Sequence, residues 1–213
     1  MGFNRLSENT RGFLMVVSAP SGTGKTTLCK RLLKVNPELR FSISYTTRPQ
    51  RAREVDGRDY HFISEAIFGE KRRQGEFVET EEIFNNLYGT SGRDIESCLA
   101  AGQNMLFDVD TRGAKSIKKV YPEGVFVFIL PPSLDVLKER LTRRGSEDEA
   151  TMSIRLKRAC DEIHENDWYD YVIINDMISS SFKALESIYI AEKSRRFRQL
   201  EMIKRVLQLK GGM

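Results

Sequence analysis

The sequence predicts an α/β fold: a parallel sheet covered by helices on both faces and interrupted by a small, mostly β insertion. Three observations carry this reading. Apolar runs at 13–18, 105–110, 125–130 and 171–174 lack the alternation of a half-exposed strand, so they read as strands buried on both faces. Helical patterns separate them, which is the order that builds parallel crossovers. Between 45 and 90 the character shifts to short extended stretches around a polar, basic segment, Thr46-Thr47-Arg48-Pro49-Gln50-Arg51-Ala52-Arg53, that fits neither period.

Residues 1–11 are polar and read as a flexible lead-in. The strand at 13–18 runs into a glycine-rich turn. Leu28, Leu32 and Val35 then recur at i, i+4 and i+7 on a helix halted by Asn36-Pro37. A short strand is expected over 41–44 and another over 60–63. Ser64 caps a short helix ending near Gly75, and an extended stretch starts at Glu76. Ser91 caps a helix with Ile95, Cys98 and Leu99 on one face, ended by Gly102. The run 105–110 is a strand that finishes in Asp108 and Asp110, the second pointing the same way if the strand continues. A helix near 112–121 leads to the strand 125–130, which Pro131-Pro132 stop. Ser133 then caps a helix carrying Leu134, Leu137 and Leu141. An arginine- and acid-rich stretch occupies 140–160. The last strand follows, and a long amphipathic helix turns Phe182, Leu185 and Ile188 or Tyr189 inward. No internal repeat or low-complexity segment breaks the order.

Composition excludes several classes. With 213 residues, 40% of them hydrophobic and 30% charged, the chain is long enough for one domain with a sizeable core. A net charge of +4 suits small polyanions as readily as nucleic acid. No apolar run of about 18 residues is present, so no membrane span is expected. The polar start lacks the apolar centre of a secretory signal. Met1-Gly2 opens a myristoylation motif that Leu6 then breaks, since Ser or Thr is needed there. Cys29, Cys98 and Cys160 are scattered, odd in number and without metal spacing, which reads as thiols in a reducing compartment. A cytoplasmic protein is expected. The basic run Lys193-Ser194-Arg195-Arg196-Phe197-Arg198 holds one aromatic and reads as a solvated helix face, not a nucleic-acid site.

Chemistry concentrates at Ala19-Pro20-Ser21-Gly22-Thr23-Gly24-Lys25-Thr26. A strand, a glycine-rich turn and Lys-Thr opening a helix cradle a triphosphate. The bare backbone at Gly22 and Gly24 lets successive N–H groups converge on phosphate oxygens, and the helix adds its positive end. Lys25 is expected to reach the β- and γ-phosphates, and the Thr26 hydroxyl to join the shell of a Mg²⁺ ion. Ala19 stands where the strict pattern has glycine, and a small residue still lets the turn close. Asp108, ending a downstream strand, is expected to orient Mg²⁺ through its water shell. Two arginine groups complete the pattern. Arg48, Arg51 and Arg53 crowd a loop beside Ser44 and Tyr60, while Arg140, Arg143, Arg144, Arg155 and Arg158 lie between two core elements. With a helix starting near Glu147, Arg155 and Arg158 are one turn apart. Forked guanidinium groups suit phosphates. Two such groups around a phosphate loop are what transfer between two phosphorylated substrates needs. His61 and His164 have no partner in the pattern, and in-line transfer requires no protein nucleophile.

These residues resemble guanylate kinases. The phosphate loop, Ser44-Tyr45-Thr46-Thr47-Arg48-Pro49-Gln50-Arg51 with Gly57 and Tyr60, and Tyr88-Gly89-Thr90-Ser91 match that family's motifs. So do Asp108-Val109-Asp110, Ile129-Leu130-Pro131-Pro132-Ser133, Arg140-Leu141 with Arg144-Gly145, and Asn175-Asp176, in the family's order over residues 12–192. The resemblance implies a three-layer core (12–44 and 91–192), a GMP-binding insertion near 45–90 and a mobile helical lid near 140–160. A helical C-terminal extension at 193–213 would follow. It also implies ATP as co-substrate, Mg²⁺, and the reaction ATP + GMP giving ADP + GDP, with dGMP as a further acceptor, in purine nucleotide supply. By position, Ser44, Arg48, Arg51, Tyr60 and Tyr88 would hold the GMP phosphate, and Glu79, Thr90 and Asp110 would read the guanine. Arg140, Arg144 and Arg155 would clamp the phosphates in transfer, and Asn175 would lie near the adenine. Glu81 and Glu82 read as solvated neighbours of Glu79. Two departures matter: Pro49 and Gln50 are swapped against the family's Arg-x-Pro-Arg, which bears on the aim of Arg51, and Arg112 stands where glutamine is usual. A non-catalytic module that binds protein partners is the other reading. Such modules have a damaged phosphate loop, whereas Gly24-Lys25-Thr26 is intact. No nucleic-acid or membrane partner is expected, and monomer and homo-oligomer both remain open.

Overall fold

In the computed structural model, which describes residues 11–83, 85–143 and 149–208, the chain opens with β1 (Leu14–Ser18), α1 (Lys25–Val35) and β2 (Arg40–Phe41). It continues through β3 (Tyr45–Thr46), β4 (His61–Phe62), α2 (Glu65–Arg73), β5 (Phe77–Ile83), β6 (Asn86–Ser91) and α3 (Gly92–Ala100). The second half comprises β7 (Met105–Val109), α4 (Thr111–Val120), β8 (Val125–Leu130), α5 (Leu134–Thr142), α6 (Glu149–His164), β9 (Tyr171–Ile174) and α7 (Ile178–Lys193). A short 3₁₀ turn, Arg196–Gln199, leads to α8 (Leu200–Gln208).

The central sheet has the order β2-β7-β1-β8-β9, and every pairing in it is parallel. β1 lies in its middle and is apolar throughout because both of its faces are covered. Met15 and Val17 pack with Leu28 and Leu32 of α1 and with Phe182, Leu185 and Tyr189 of α7. Leu14 and Val16 face the other way, toward Ile95 and Leu99 of α3 and Ala114 and Ile117 of α4. Three layers result. A second, four-stranded sheet, β4-β3-β6-β5, gathers the strands between Tyr45 and Ser91. Phe68 of α2 is fully buried against it and stacks on Phe77 at 4.6 Å. Ser64, Ser91 and Ser133 cap α2, α3 and α5 as their sequence positions predict, each hydroxyl accepting from the N–H three residues on. α5 and α6 share a small core of their own, made by Leu137, Leu141, Met152 and Ala159.

Several elements differ from expectation. The strand expected over 41–44 pairs with β7 only at Arg40 and Phe41, after which the chain departs toward the second sheet. Val35 and Leu134 are 48% and 45% exposed, since each stands at the outer end of its helix beyond the turns that face the core. β7 stops at Val109, so Asp110 does not continue the strand. It caps α4, its Oδ1 accepting from Gly113 N–H at 2.8 Å. The long closing helix is two helices. Ser194 Oγ donates to the Ile190 carbonyl at 3.0 Å, and Arg195 then takes extended backbone. Arg198 sits 4.2 Å over the Phe13 ring and pairs with buried Glu192 at 3.5 Å. α6 begins at Glu149, and the expected lid residues 144–148 lie outside the described residues. No helix among the described residues is long and apolar enough to cross a membrane.

Candidate functional site: two cavities around Asp110

The glycine-rich loop hangs between β1 and α1. Gly22 and Gly24 take left-handed φ angles of 90° and 94°, and a Cβ on Gly24 would stand 2.6 Å from Asn175 Nδ2. Glycine is required there for both conformation and space. Thr23 Oγ1 donates to the Pro20 carbonyl at 3.0 Å, and Asn175 Nδ2 donates to the Thr23 carbonyl at 2.6 Å. The loop is therefore held from within and from the end of β9. Gly24 caps α1 without a side chain, and no acidic residue stands in the first turn. The positive helix end and its amides are left for an anion. The loop from Ala19 to Thr26 lines a cavity of about 320 Å³, closed on the far side by Asp110 and by Arg155, Arg158 and Glu162 of α6. Lys25 Nζ pairs with Asp108 Oδ1 at 2.7 Å and also donates to the Val109 carbonyl.

A second cavity, of about 570 Å³, opens between the second sheet and the end of β7. Ser44, Tyr60, Tyr88, Glu79, Glu81 and Arg112 line it, with Asp108 and Asp110 on its core side. Tyr60 and Tyr88 meet edge to face at 5.8 Å. Thr90, only 1% exposed, donates its hydroxyl to Glu79 Oε1 at 2.6 Å. Burial pushes the Glu79 carboxyl above its ordinary value. The Thr90 hydrogen bond opposes that shift and the charge of Asp110 adds to it. Asp110 and Arg158 line both cavities. Arg158 Nη2 lies 3.4 Å from Asp110 Oδ2, and its Nε donates to Glu162 Oε1 at 3.0 Å.

The remaining expected residues fall elsewhere. Arg48 donates through Nη2 to Glu54 Oε1 at 2.7 Å and through Nη1 to the Pro49 carbonyl at 2.8 Å, with its guanidinium 5.4 Å from the Tyr60 ring centre. The Arg48 guanidinium and the Arg51 N–H hold the Glu54 carboxyl below its ordinary value. Gln50 Nε2 donates to the Glu54 carbonyl at 2.6 Å. The swapped Pro49-Gln50 pair thus folds into a tight loop around Glu54, with Arg51 exposed and outside both linings. Arg140 donates to the carbonyls of Asn175 (3.0 Å) and Asp176 (3.4 Å), and lines a third cavity of about 320 Å³ beside the loop with Arg143 and Asn175. Arg155 faces the loop cavity, and Arg144 lies outside the described residues. Glu81 is not a solvated neighbour: it is half-buried in the cavity lining, and burial and the charge of Asp110 push its carboxyl up to about 7. Its signal was in the sequence, since period-two alternation sets it on the same face of β5 as Glu79. Glu162 is equally readable, at i+4 from Arg158. Glu54 carries no periodic signal at all.

No group of three or more His, Cys, Asp or Glu side chains clusters as a metal site among the described residues. Mg²⁺ takes few protein ligands when substrate phosphates supply the rest. The exposed Thr26 hydroxyl and the Asp108 carboxylate are hard oxygen donors that fit such a shell.

A phosphate cradle at the carboxyl end of a central parallel strand, feeding the N-terminus of a helix, defines a phosphate-loop nucleotide-binding protein. The sequence model described as guanylate kinase matches residues 11–192. The chain belongs to the guanylate kinase family. It is 47% identical over 192 residues to a guanylate kinase of Geobacter metallireducens, spanning 90% of this chain and 95% of that one. A guanylate kinase of Syntrophus aciditrophicus is 48% identical over 204 residues, spanning 96% and 98%. The crystal structure of guanylate kinase from Anaplasma phagocytophilum matches with a TM-score of 0.69 at 31% identity, over 91% of this chain and 92% of that one.

Proposed function

We propose that the transfer of a phosphoryl group from ATP to GMP, which this enzyme performs, crosses the wall that the two cavities share. The observation that supports this is the position of Asp110 and Arg158 in both linings. ATP places its phosphates in the loop cavity, against Lys25 and the backbone amides from Ala19 to Thr26. Its adenine lies toward Asn175 and the third cavity. GMP, or dGMP, occupies the second cavity. The Glu79 carboxylate accepts from the adjacent N1–H and N2–H₂ donors of guanine, Thr90 holds that carboxylate in place, and Asp110 reads the same edge. Ser44, Tyr60, Tyr88, Arg48 and Arg51 take the GMP phosphate, the two arginines by turning away from the Glu54 loop.

A GMP phosphate oxygen attacks the γ-phosphorus in line. The bond to the β,γ-bridging oxygen breaks and ADP leaves with that electron pair. The attacking monoester is already anionic near neutral pH, so the work is positioning and charge neutralisation. Lys25 balances charge at the β- and γ-phosphates. Arg155, with Arg140 and Arg144, answers the charge on the phosphoryl in flight. Thr26, and Asp108 through water, would hold Mg²⁺, which neutralises phosphate charge when bound. Closure of the 140–160 segment brings the arginines together and excludes water. A cytoplasmic setting, with no nucleic-acid or membrane partner, belongs to the same reading. The intact loop and its cavity weigh against a non-catalytic module. ADP production measured in turn with GMP, dGMP, AMP, CMP and UMP tests the proposal. Turnover with GMP and dGMP only is expected. Comparable turnover with AMP would overturn the assignment of the base pocket.

A further inference from the structure

Arg158 stands in the wall between the two cavities, where a cation can face either substrate. It follows Arg155 by one turn of α6 and lines the loop cavity and the second cavity alike. Its guanidinium is held on two carboxylates. Nε donates to Glu162 Oε1, four residues on in the same helix, at 3.0 Å, and Nη2 donates to Asp110 Oδ2 at 3.4 Å. The two contacts are unequal. The first is local to α6, whereas the second is long and crosses to the residue that caps α4. Asp110 Oδ1 already accepts from Gly113 N–H at 2.8 Å, so Oδ2 is the oxygen left for the cavity. Arg158 occupies it here. Guanine would ask for the same oxygen. Its 2-amino group carries two hydrogens: one meets Glu79, which Thr90 holds at 2.6 Å, and the other is left for Asp110. A second donor on Oδ2 weakens a contact that is already long. A polyphosphate on the other side of the wall then offers the guanidinium a stronger partner.

We propose that Arg158 is a further catalytic residue that senses the base: the 2-amino group of GMP takes its place on Asp110, and the released guanidinium turns into the loop cavity to meet the charge on the phosphoryl group in transfer. The proposal rests on the reading that the second cavity binds GMP. Nε stays on Glu162, so the head of the side chain swings on a fixed pivot and only its forked end moves. No proton changes hands. What changes is the anion that the cation faces while the bond to the β,γ-bridging oxygen breaks. A purine without the 2-amino group leaves Arg158 on Asp110, and transfer proceeds without that cation. Part of the discrimination against such a purine is therefore expressed in kcat and not in binding.

Inosine monophosphate keeps the N1–H and O6 of GMP and lacks only the 2-amino group, so it isolates this contact. Arg158→Met keeps the apolar stem and removes the cation. The Arg158 side chain is more than half exposed and belongs to none of the hydrophobic clusters, so the variant is expected to fold. In the wild-type enzyme, kcat with GMP is expected to exceed kcat with inosine monophosphate by about tenfold, the effect of one hydrogen bond to a charged group. In Arg158→Met, kcat with GMP is expected to fall by about the same tenfold factor, so that both acceptors turn over alike. The ratio of their dissociation constants, read by titration calorimetry, is expected to rise severalfold in the variant. There the amino group no longer has a cation to displace, and the phosphate charge common to both ligands cancels. A brace that merely ties α6 to α4 would change both acceptors equally or neither. Equal falls in kcat with both acceptors, a kcat with GMP within about twofold of wild type, or a dissociation-constant ratio that does not rise each overturn the proposal. Glu79→Ala is the control for the pocket. If it raises the KM for GMP while Arg158→Met keeps the wild-type kcat ratio, the role of Arg158 falls and the pocket stands. If it leaves the KM for GMP unchanged, the pocket reading fails and takes this proposal with it.

Discussion

Lys25 enters its cavity with Asp108 already beside it at 2.7 Å, and both side chains are mostly buried. In the proposed site a triphosphate would compete with Asp108 for the lysine, and the γ-phosphate in transfer would gain most from it. Lys25→Ala should lower kcat by on the order of 10²-fold or more, as the loss of one preorganised cation does, with the far-ultraviolet dichroism spectrum unchanged. Near-normal turnover would remove the loop from the mechanism. A pair on β5 supplies the sharper contrast. Glu79 is half-buried on Thr90, whereas Glu82 is exposed. Glu79→Ala should cut kcat/KM for GMP steeply and spare the KM for ATP, and Glu82→Ala should change neither by more than twofold. AMP offers no hydrogen at N1 and would leave Glu79 unanswered, a mismatch worth about 10⁴-fold in sites of this type. At this scale the sequence was readable where chemistry fixes the residue type, as at Gly22, Gly24, Lys25 and Asp108. It was opaque where the partner is set by the path of an irregular loop or is a main-chain carbonyl. The guanidinium of Arg48 is committed to Glu54 and Arg140 to two main-chain carbonyls, and neither pairing leaves a mark in spacing.

α6 is the element whose position decides most. It presents Arg155, Arg158 and Glu162 to the loop cavity yet rests chiefly on α5, through Leu137, Leu141, Met152 and Ala159. A helix held by a small satellite core opens at lower cost than one built into the main core. Arg155→Lys keeps the charge and loses the fork. It should reduce kcat by on the order of 10³-fold, close to the alanine variant, because planar bidentate geometry is what a phosphoryl in flight uses. Mild effects from both would shift the role to Arg144. α1 belongs to the other class: Leu32 is fully buried between α7 and the sheet, and Leu32→Ala should destabilise the fold by about 2–5 kcal/mol in urea titration. Strands and caps were legible because buried runs and Ser-started helices are local patterns. The short β2, the end of β7 and the break before α8 were not. Each is set by where a neighbouring strand or a side chain ends the pairing.

For the molecule as a whole, the order of apolar runs and helical patterns was enough to foresee a covered parallel sheet. The strand order β2-β7-β1-β8-β9 was beyond such patterns, since adjacency in space is not written in any one segment. β1 is the middle strand of the sheet, and its alternate residues, Met15 and Val17 on one side and Leu14 and Val16 on the other, are claimed by both hydrophobic cores. The loop proposed to receive ATP grows directly from its end. No partial opening can slacken that loop while leaving either core whole, so amide hydrogen exchange at Val16 and Val17 should proceed only through global unfolding. On heating, the shape of the loop should be lost along the same curve as the cooperative melt of the two cores, whatever α6 does before it.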